Sequence, residues 1–339
     1  MRISYVAGLI ITLLVGLLVG YYLSSTLLTT STGAVSETLI VVDSLGRYVK
    51  VSNVSRVVSL APSITEVLFA LGLEGSLVGV DDFSNYPPKL LELINAGKIK
   101  YVGGWWSPDI EKVVSLRPSL VIADGGVYRQ VALEGKFKEL GVDVVYLKGS
   151  GCRDVDDVIN DIKLVGMLLN ATNKANELSN TIKGKVGAVS EKVSSVMSSK
   201  PKVLFLAGPP SEGLYSAGGN TYVSYLIEVS GGINIARDLM GWPLLSYEKI
   251  LTENPDLIII TLMGPSTDIN KLREEISKTP LADVKAYKKG NIYVVSGEAG
   301  DILVRPGPRV YAAVEFLSQI LHPELFGGVS RDDVIKVLT

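Results

Sequence analysis

Cysteine and histidine are almost absent from this sequence. The chain of 339 residues holds one cysteine, Cys152, and one histidine, His322. A lone cysteine cannot form a disulfide within the chain, and Cys152 is too far from the chain start to carry an N-terminal lipid. One histidine cannot supply a histidine metal cluster, and it argues against a Ser-His-Asp relay. Neither a phosphate-binding glycine loop nor a Gly-x-Ser-x-Gly turn is present. We therefore expect no catalytic residues, no metal site and no resident cofactor.

An excess of charge of either sign is missing as well. The chain carries 33 lysines and arginines against 35 aspartates and glutamates, a net charge of −2, and no dense basic run. Such a surface is a poor match to a nucleic-acid backbone. The composition therefore predicts a small-molecule partner and no nucleic acid.

One long apolar stretch lies at the very start of the chain. Residues 1–23 carry a single cation, Arg2, followed by about 20 apolar residues, enough to cross a bilayer as a helix. We expect residues 1–25 to be a membrane anchor or signal segment. An uncleaved anchor is favoured because the stretch is longer than a usual signal core. Residues 26–53 are predicted to be a Ser/Thr-rich stalk with a short strand region, which places the rest of the chain on the extracytoplasmic face of the cell membrane.

Apolar, β-forming runs alternate with amphipathic helical stretches in the remaining sequence. This alternation predicts an α/β fold with mainly parallel central sheets. The strand-like runs are residues 57–61, 120–124, 144–148, 203–207, 257–261 and 292–296. Residues 154–199 contain no proline and keep helical spacing of their apolar residues. We expect this segment to be a long, rigid linking helix between an N-terminal α/β lobe, residues 54–153, and a C-terminal α/β lobe, residues 200–339.

The two predicted lobes share a repeated unit. Residues 111–122 and 248–259 agree at five of twelve positions, and each copy takes a helix up to a proline and then enters a buried strand. Glu111 and Glu248 occupy the same position in the two copies. They either stabilise helix N-termini through the macrodipole or serve as one docking acid per lobe for a two-fold symmetric partner.

Aromatic residues follow several of the predicted strands. Because ligands bind beyond the carboxyl ends of parallel strands, these rings are placed to line a cleft and to stack on a large ligand. For each ring the alternative is packing beneath its own loop. The rings with this placement are Phe83, Trp105, Tyr215 and Trp242.

Six short segments carry a family pattern. They are RVVSLAPSITE at residues 56–66, NYPP at 85–88, RPSLVI at 117–122, GGNT at 218–221, GGIN at 231–234 and RPGPR at 305–309. Together they resemble the class III periplasmic binding proteins of ABC importers. That group includes the vitamin B12-binding protein and receptors for ferric siderophores and haem.

The resemblance implies a protein that captures a solute between two lobes and catalyses nothing. Glu111 and Glu248 are then the acids that meet arginines of an ABC permease dimer, which works with its ATPase. The implied ligand contacts are Phe83, Trp105, Tyr215 and Trp242, with polar contacts from Asp301 and Arg305.

A corrinoid such as cobalamin is the first expectation for the ligand. A ferric siderophore or haem is the alternative, and in each case the cobalt or iron belongs to the ligand. Phe83 and Asp124 stand where the B12-binding protein looks to have Tyr and Trp. From other classes, an extracellular hydrolase and an adhesive surface module are the more distant alternatives.

Overall fold

The computed structural model describes residues 39–196, 200–262 and 268–338. The predicted anchor and residues 26–38 of the predicted stalk lie outside these residues. Within the described ranges, no helix combines the length and the apolar character needed to span a bilayer. Residues from Ile40 onward form a single unit, to which both lobes belong.

The N-terminal lobe is built on a five-stranded parallel sheet. Its central strands are buried along their whole length, as apolar runs covered on both faces should be. A two-stranded hairpin precedes the sheet, and the amide of Ser44 in its turn donates to the carbonyl of Tyr146 at 2.9 Å. The strands are Leu39–Val42 (β1), Tyr48–Val51 (β2), Val57–Ser59 (β3), Leu77–Val80 (β4), Lys100–Tyr101 (β5), Gly103–Gly104 (β6), Ser107–Pro108 (β7), Leu120–Asp124 (β8) and Asp143–Leu147 (β9).

The order of strands in this sheet is β5-β4-β3-β8-β9, while β6 and β7 form a small antiparallel pair. Two of the helices begin with proline, whose fixed φ suits the first helical position. The helices of the lobe are Pro62–Ala70 (α1), Pro88–Asn95 (α2), Ile110–Ser115 (α3), Tyr128–Val131 (α4) and Glu134–Glu139 (α5).

Two helices occupy the segment expected to be one linking helix. They are Val155–Leu168 (α6) and Thr172–Val196 (α7), separated by a turn in which Asn170 has a φ of 55°. Asparagine tolerates this left-handed conformation, so it ends the first helix at low cost. At 25 residues, α7 is about 38 Å long.

Helix α7 contacts both lobes. Near its start, the Lys174 ammonium donates to the carbonyl of Leu71 at 3.1 Å, and Leu71 lies in the N-terminal lobe. Near its end, Lys192 donates to the carbonyl of Leu325 at 2.9 Å in the C-terminal lobe. The helix therefore bridges the lobes along its length.

The C-terminal lobe carries the second five-stranded sheet. Its strands are Lys202–Leu206 (β10), Ile233–Asn234 (β11), Leu257–Thr261 (β12), Ile292–Val295 (β13) and Val334–Lys336 (β14), in the order β11-β10-β12-β13-β14. The first four run parallel and β14 is antiparallel to β13. The surrounding helices are Tyr222–Val229 (α8), Tyr247–Glu253 (α9), Ile269–Ser277 (α10), Lys285–Lys288 (α11), Gly297–Val304 (α12), Val310–Leu321 (α13) and Pro323–Phe326 (α14).

The repeated sequence units fold alike. Asp109 and Ser246 each cap a helix by accepting the backbone N–H three residues on, at 3.1 and 3.2 Å. After each helix, a residue with positive φ turns the chain before the proline: Arg117 at 48° and Asn254 at 49°. The chain then enters β8 or β12, each of which is an interior strand of its sheet.

Candidate ligand-binding cleft

The lobes meet where the carboxyl ends of their sheets come together. Asn85, in the loop after β4, donates to the Asp301 carboxylate at 2.9 Å and accepts from the Arg305 guanidinium at 2.7 Å. Arg305 also donates to the carbonyl of Phe83 at 3.3 Å. Asp301 and Arg305 lie at the end of α12, the helix that follows β13. The loop after β4 and the helix after β13, each beyond the carboxyl end of a parallel strand, therefore meet at one junction of the two lobes.

A buried ion pair joins the lobes beside this junction. Glu66 of α1 accepts two hydrogen bonds from the Arg309 guanidinium, at 2.7 and 2.5 Å. The same guanidinium stacks over the Tyr86 ring, 3.9 Å from its centroid. A bidentate pair of this kind fixes both position and orientation. It adds a further connection between the lobes to those made by α7 and by Asn85.

The N-terminal wall of the cleft carries Phe83 and Trp105. Phe83 is 48% exposed, and Trp105 is half-buried against Trp106, with ring centroids 4.4 Å apart. The loops that bear them are joined by the amide of Asp82, which donates to the carbonyl of Gly103 at 2.9 Å. The reverse bond runs from the Gly103 amide to the Asp82 side chain at 3.2 Å. The two rings are therefore held on one connected surface.

The C-terminal wall carries Tyr215 and Trp242, which are 47% and 49% exposed. Tyr215 follows β10 and pairs with Leu244 in an isolated antiparallel bridge. Trp242 follows β11, and its ring lies 6.1 Å from that of the buried Phe205. Both residues lie beyond the carboxyl ends of parallel strands.

The structure places three of the predicted contact residues, Phe83, Asp301 and Arg305, where the two lobes touch. Trp105 lies on a loop bonded to that of Phe83, and Tyr215 and Trp242 lie beyond the strand ends of the C-terminal lobe. Asp301 and Arg305 form an ion pair with each other at 2.8 Å, and both bind Asn85, so their polar atoms are engaged in joining the lobes. The predicted docking acids lie elsewhere. Glu111 and Glu248 are exposed, each in the first turn of its helix, α3 or α9.

Asp81 is a residue of the N-terminal wall that the sequence reasoning missed. It directly follows β4 and is buried, and its carboxylate accepts from the Phe83 amide at 2.9 Å and the Ser84 hydroxyl at 2.6 Å. Burial raises the pKa of Asp81 to about 6, although these two hydrogen bonds oppose the shift. Asp81 thus shapes the loop that presents Phe83. An acid at the end of an apolar strand was the available signal.

Two exposed apolar side chains of the C-terminal wall were also missed. Leu244 is 62% exposed and stands opposite Tyr215 in the antiparallel bridge. Met240 is 72% exposed, two residues before Trp242. The sequence analysis considered only aromatic residues after strands, so these two side chains were not included. Both add exposed apolar surface to this wall.

A separate cavity of about 620 Å³ lies away from the cleft. It is formed by the N-terminal hairpin, α6 and the start of α7, and its lining includes Val42, Lys148, Asp161 and Met167. None of the predicted contact residues lines it. This cavity is therefore distinct from the aromatic cleft.

Comparison with known families agrees with this two-lobed geometry. Residues 57–299 match the family described as periplasmic binding protein. The chain belongs to the periplasmic binding protein family. This membership confirms the resemblance to substrate-binding proteins of ABC importers that the six segments predicted. Proteins of this family bind solutes rather than catalyse reactions.

Individual relatives extend over most of the chain. An uncharacterized ABC transporter substrate-binding lipoprotein of Bacillus subtilis (strain 168) is 27% identical over 272 residues, 80% of this chain and 81% of the relative. A cobalamin-binding protein of Halobacterium salinarum (strain ATCC 29341 / DSM 671 / R1) is 25% identical over 276 residues, 80% of this chain and 70% of the relative. The structure of a periplasmic heme-binding protein of Roseiflexus sp. RS-1 superposes with a TM-score of 0.66 at 25% identity, over 80% of this chain and 98% of the other.

Proposed function

We propose that this chain is the extracytoplasmic solute-binding protein of an ABC importer and that it captures a corrinoid between its lobes. The observation that carries this proposal is that each lobe presents partly exposed aromatic rings beyond its parallel strands, Phe83 and Trp105 on the N-terminal lobe and Tyr215 and Trp242 on the C-terminal lobe. Flat apolar rings left open to water offer stacking area to a large planar ligand. The cobalamin-binding relative supports the corrinoid assignment.

The charges at the junction favour a corrinoid over haem. Arg305 is paired with Asp301, and Arg309 is paired with Glu66 and with Glu298 at 3.0 Å. Both guanidinium groups are therefore already neutralised within the protein. A corrin ring carries amide groups, which need no cation, whereas haem carries two propionates. These pairings therefore leave Arg305 and Arg309 poorly placed to receive propionates.

Haem or a ferric siderophore is the second candidate. The observation that favours it is the exposed phenol of Tyr215 on the C-terminal wall, because a tyrosine oxygen is one of the protein ligands that haem iron accepts. The heme-binding relative supports this alternative. Phe83, which has no hydroxyl, can offer only its ring.

The visible spectrum of a protein–ligand mixture distinguishes these candidates. The full-length chain is titrated by calorimetry with hydroxocobalamin, hemin and a ferric hydroxamate, and the absorption of the complex is recorded. We expect one cobalamin to bind per chain. Binding of hemin or of the hydroxamate alone would move the assignment to the second candidate, and binding of none of the three would refute both. Tyr48→Ala, which removes an 82% exposed ring from β2, is the control for nonspecific stacking.

Glu111 and Glu248 are the proposed docking acids for the permease dimer. They stand at equivalent positions of the two lobes, they are exposed, and neither pairs with a cation of the described residues. One acid per lobe suits a partner with two-fold symmetry. An uncleaved N-terminal anchor, proposed from residues 1–25, would hold the protein at the membrane beside that partner.

Charge reversal tests the docking role. The Glu111→Lys, Glu248→Lys double variant should lose uptake in cells that carry the transporter while it keeps its affinity for the ligand. The matched control reverses two exposed acids of α7, Glu177 and Glu191, and should leave uptake unchanged. Normal uptake by the first double variant would remove the docking role, whatever the ligand.

A further inference from the structure

Trp105 is held at two points by buried polar side chains. Its indole N–H donates to the Asp124 carboxylate at 3.0 Å. Its backbone carbonyl accepts from the side-chain amide of Gln130 at 2.7 Å. Asp124 and Gln130 are 1% and 0% exposed. The side chains that hold Trp105 are therefore buried, whereas Trp105 itself is only half-buried.

Asp124 is fully engaged at the end of β8. Besides the indole, three donors converge on its carboxylate: the amide of Gly126 at 2.9 Å, and the amide and hydroxyl of Ser150 at 3.0 and 3.1 Å. The chain makes room for this carboxylate at Gly149, where φ is 54° and an added Cβ would collide with the Asp124 oxygens. The turn after β9 is thus built around Asp124.

Gln130 connects the same site to the sheet. Its amide oxygen accepts from the Asp124 amide at 2.8 Å, and its amide nitrogen also donates to the carbonyl of Leu60 at 2.8 Å. The Tyr146 hydroxyl donates to the Gln130 carbonyl at 2.9 Å. The residues that hold Trp105 are therefore themselves tied to β8, β9 and the segment after β3.

We infer that Asp124 and Gln130 are positioning residues that fix the plane of Trp105 before the ligand arrives. This inference rests on the proposed function, in which Trp105 stacks on the ligand. Ordering a large side chain on binding costs affinity, so a ring that is ordered beforehand binds more tightly. Because Asp124 takes the indole N–H, Trp105 presents only apolar ring surface. The part of the ligand that meets Trp105 is therefore flat and apolar, with no requirement for a hydrogen-bond acceptor.

The Asp124→Asn variant tests this role. Three donor contacts fall on one carboxylate oxygen, from Gly126 and Ser150, so the remaining oxygen of the asparagine should stay there and the new NH₂ group should face the indole N–H. The indole N–H and the new NH₂ group are both donors, so the hydrogen bond that holds the Trp105 ring should be lost. Affinity for hydroxocobalamin, measured by calorimetry, should fall by about 3- to 10-fold, the cost of ordering one large side chain.

Asp161→Asn is the matched control. Asp161 is also buried and also accepts backbone amides of the same turn, from Lys148 and Gly149 at 2.8 Å each, but it has no hydrogen bond to Trp105. It should reproduce any general loss of stability without changing ligand affinity. An equal loss of affinity in both variants would contradict a specific role for Asp124.

A ligand-free measurement decides the geometry independently. The chain has three tryptophans, so a ¹H–¹⁵N spectrum of the full-length protein shows at most three indole N–H signals, and Trp105→Phe identifies that of Trp105. In Asp124→Asn this signal should shift and its proton should exchange faster with water, whereas in Asp161→Asn it should do neither. An unchanged Trp105 signal would overturn the inference even if a ligand binds.

Failure of the inference is distinguishable from failure of the proposed function. If the wild-type chain binds none of the three ligands, the proposed function fails. The indole N–H signal of Trp105 in the ligand-free protein then tests by itself whether Asp124 holds Trp105. If Asp124→Asn does not fold, Trp105→Phe removes the same N–H and keeps a ring, so it should lower ligand affinity by a similar factor of about 3 to 10. Full affinity in Trp105→Phe would overturn the inference.

Discussion

The two walls of the cleft are built on similar sheets but hold their aromatic rings in different ways. On the N-terminal wall, Trp105 and the Phe83 loop are bound by buried polar side chains, chiefly Asp124, Gln130 and Asp81. On the C-terminal wall, the segment of Tyr215 pairs through its backbone with that of Leu244, and Trp242 lies near the buried ring of Phe205. The first wall depends on hydrogen bonds and charge, and the second on backbone pairing and apolar contact.

The two lobes share the repeated helix and strand but differ in what supports their aromatic rings. Both lobes have a capped helix, a positive-φ residue before proline and a buried strand, β8 or β12, in the same order. The supports of the aromatic rings have no such correspondence. For example, Asp124 at the end of β8 stands where β12 has Thr261, which donates to the carbonyl of Leu206 at 3.2 Å. Substitutions should therefore affect the N-terminal wall through hydrogen bonds and charge, and the C-terminal wall through apolar packing.

Glu66→Ala removes a connection on which both walls depend, and it should have the largest effect. The substitution leaves Arg309 largely buried without its closest carboxylate, which should lower the free energy of unfolding by about 3–5 kcal/mol. Chemical denaturation of the full-length chain measures this loss. The control is Glu274→Ala, which removes the exposed ion pair with Lys278 and should leave the free energy of unfolding close to that of wild type. Equal losses in the two variants would mean that Glu66 does not act as a buried partner.

Asp81→Asn should change how the free energy of unfolding depends on pH, because Asp81 is a buried acid of the N-terminal wall. Folded Asp81 keeps its proton up to about pH 6, whereas in the unfolded chain it releases it near 3.8. The folded state therefore binds more protons in this window, and the contribution of Asp81 to stability, fully present below the lower value, is lost as the pH rises through about 6.

Asparagine does not titrate, so the variant avoids that loss. Relative to wild type, its free energy of unfolding should rise between about pH 4 and pH 7 by at most about 3 kcal/mol. Denaturation curves across this range supply the measurement. A difference between the two proteins that does not vary with pH would show that the carboxyl titrates as it does in water.

Phe205→Leu should affect the C-terminal wall and spare the other. Phe205 is fully buried on β10, so a smaller side chain should cost about 1–2 kcal/mol of stability and leave space beneath Trp242. The indole N–H signal of Trp242 should shift, while that of Trp105 stays in place. A change confined to Trp105 would contradict the separation of the two walls.

The frame of the protein could be predicted from its sequence because the signals are local. The runs at residues 120–124 and 257–261 are strands with those bounds, and the repeated helix, proline and strand are present in both lobes. Helix α7, Thr172–Val196, lies within residues 154–199, the segment expected to be helical. The break at Asn170 was not foreseen, because the positive φ of this residue is visible only in three dimensions.

The contacts that join the lobes could not be predicted from the sequence. Glu66 and Arg309 are separated by 243 residues, and Asn85 and Arg305 by 220. The sequence around either residue of a pair gives no indication of which residue it contacts. The sequence did point to Asp301 and Arg305 through their family position, but only the folded chain shows that these residues bind Asn85. Asp124 was noted as a departure from the B12-binding protein, yet its bond to Trp105 depends on the packing of three loops.

Removal of one ring from each wall is the most direct test of the cleft as the ligand site. Calorimetric titration of the full-length chain with the ligand that it binds would compare wild type, Trp105→Ala, Trp242→Ala and the double variant. Each single substitution should weaken binding by about 5-fold or more, and the two losses should add in the double variant, because the rings lie on separate walls. Wild-type affinity in both single variants would show that the ligand binds elsewhere and would contradict an aromatic cleft between the lobes.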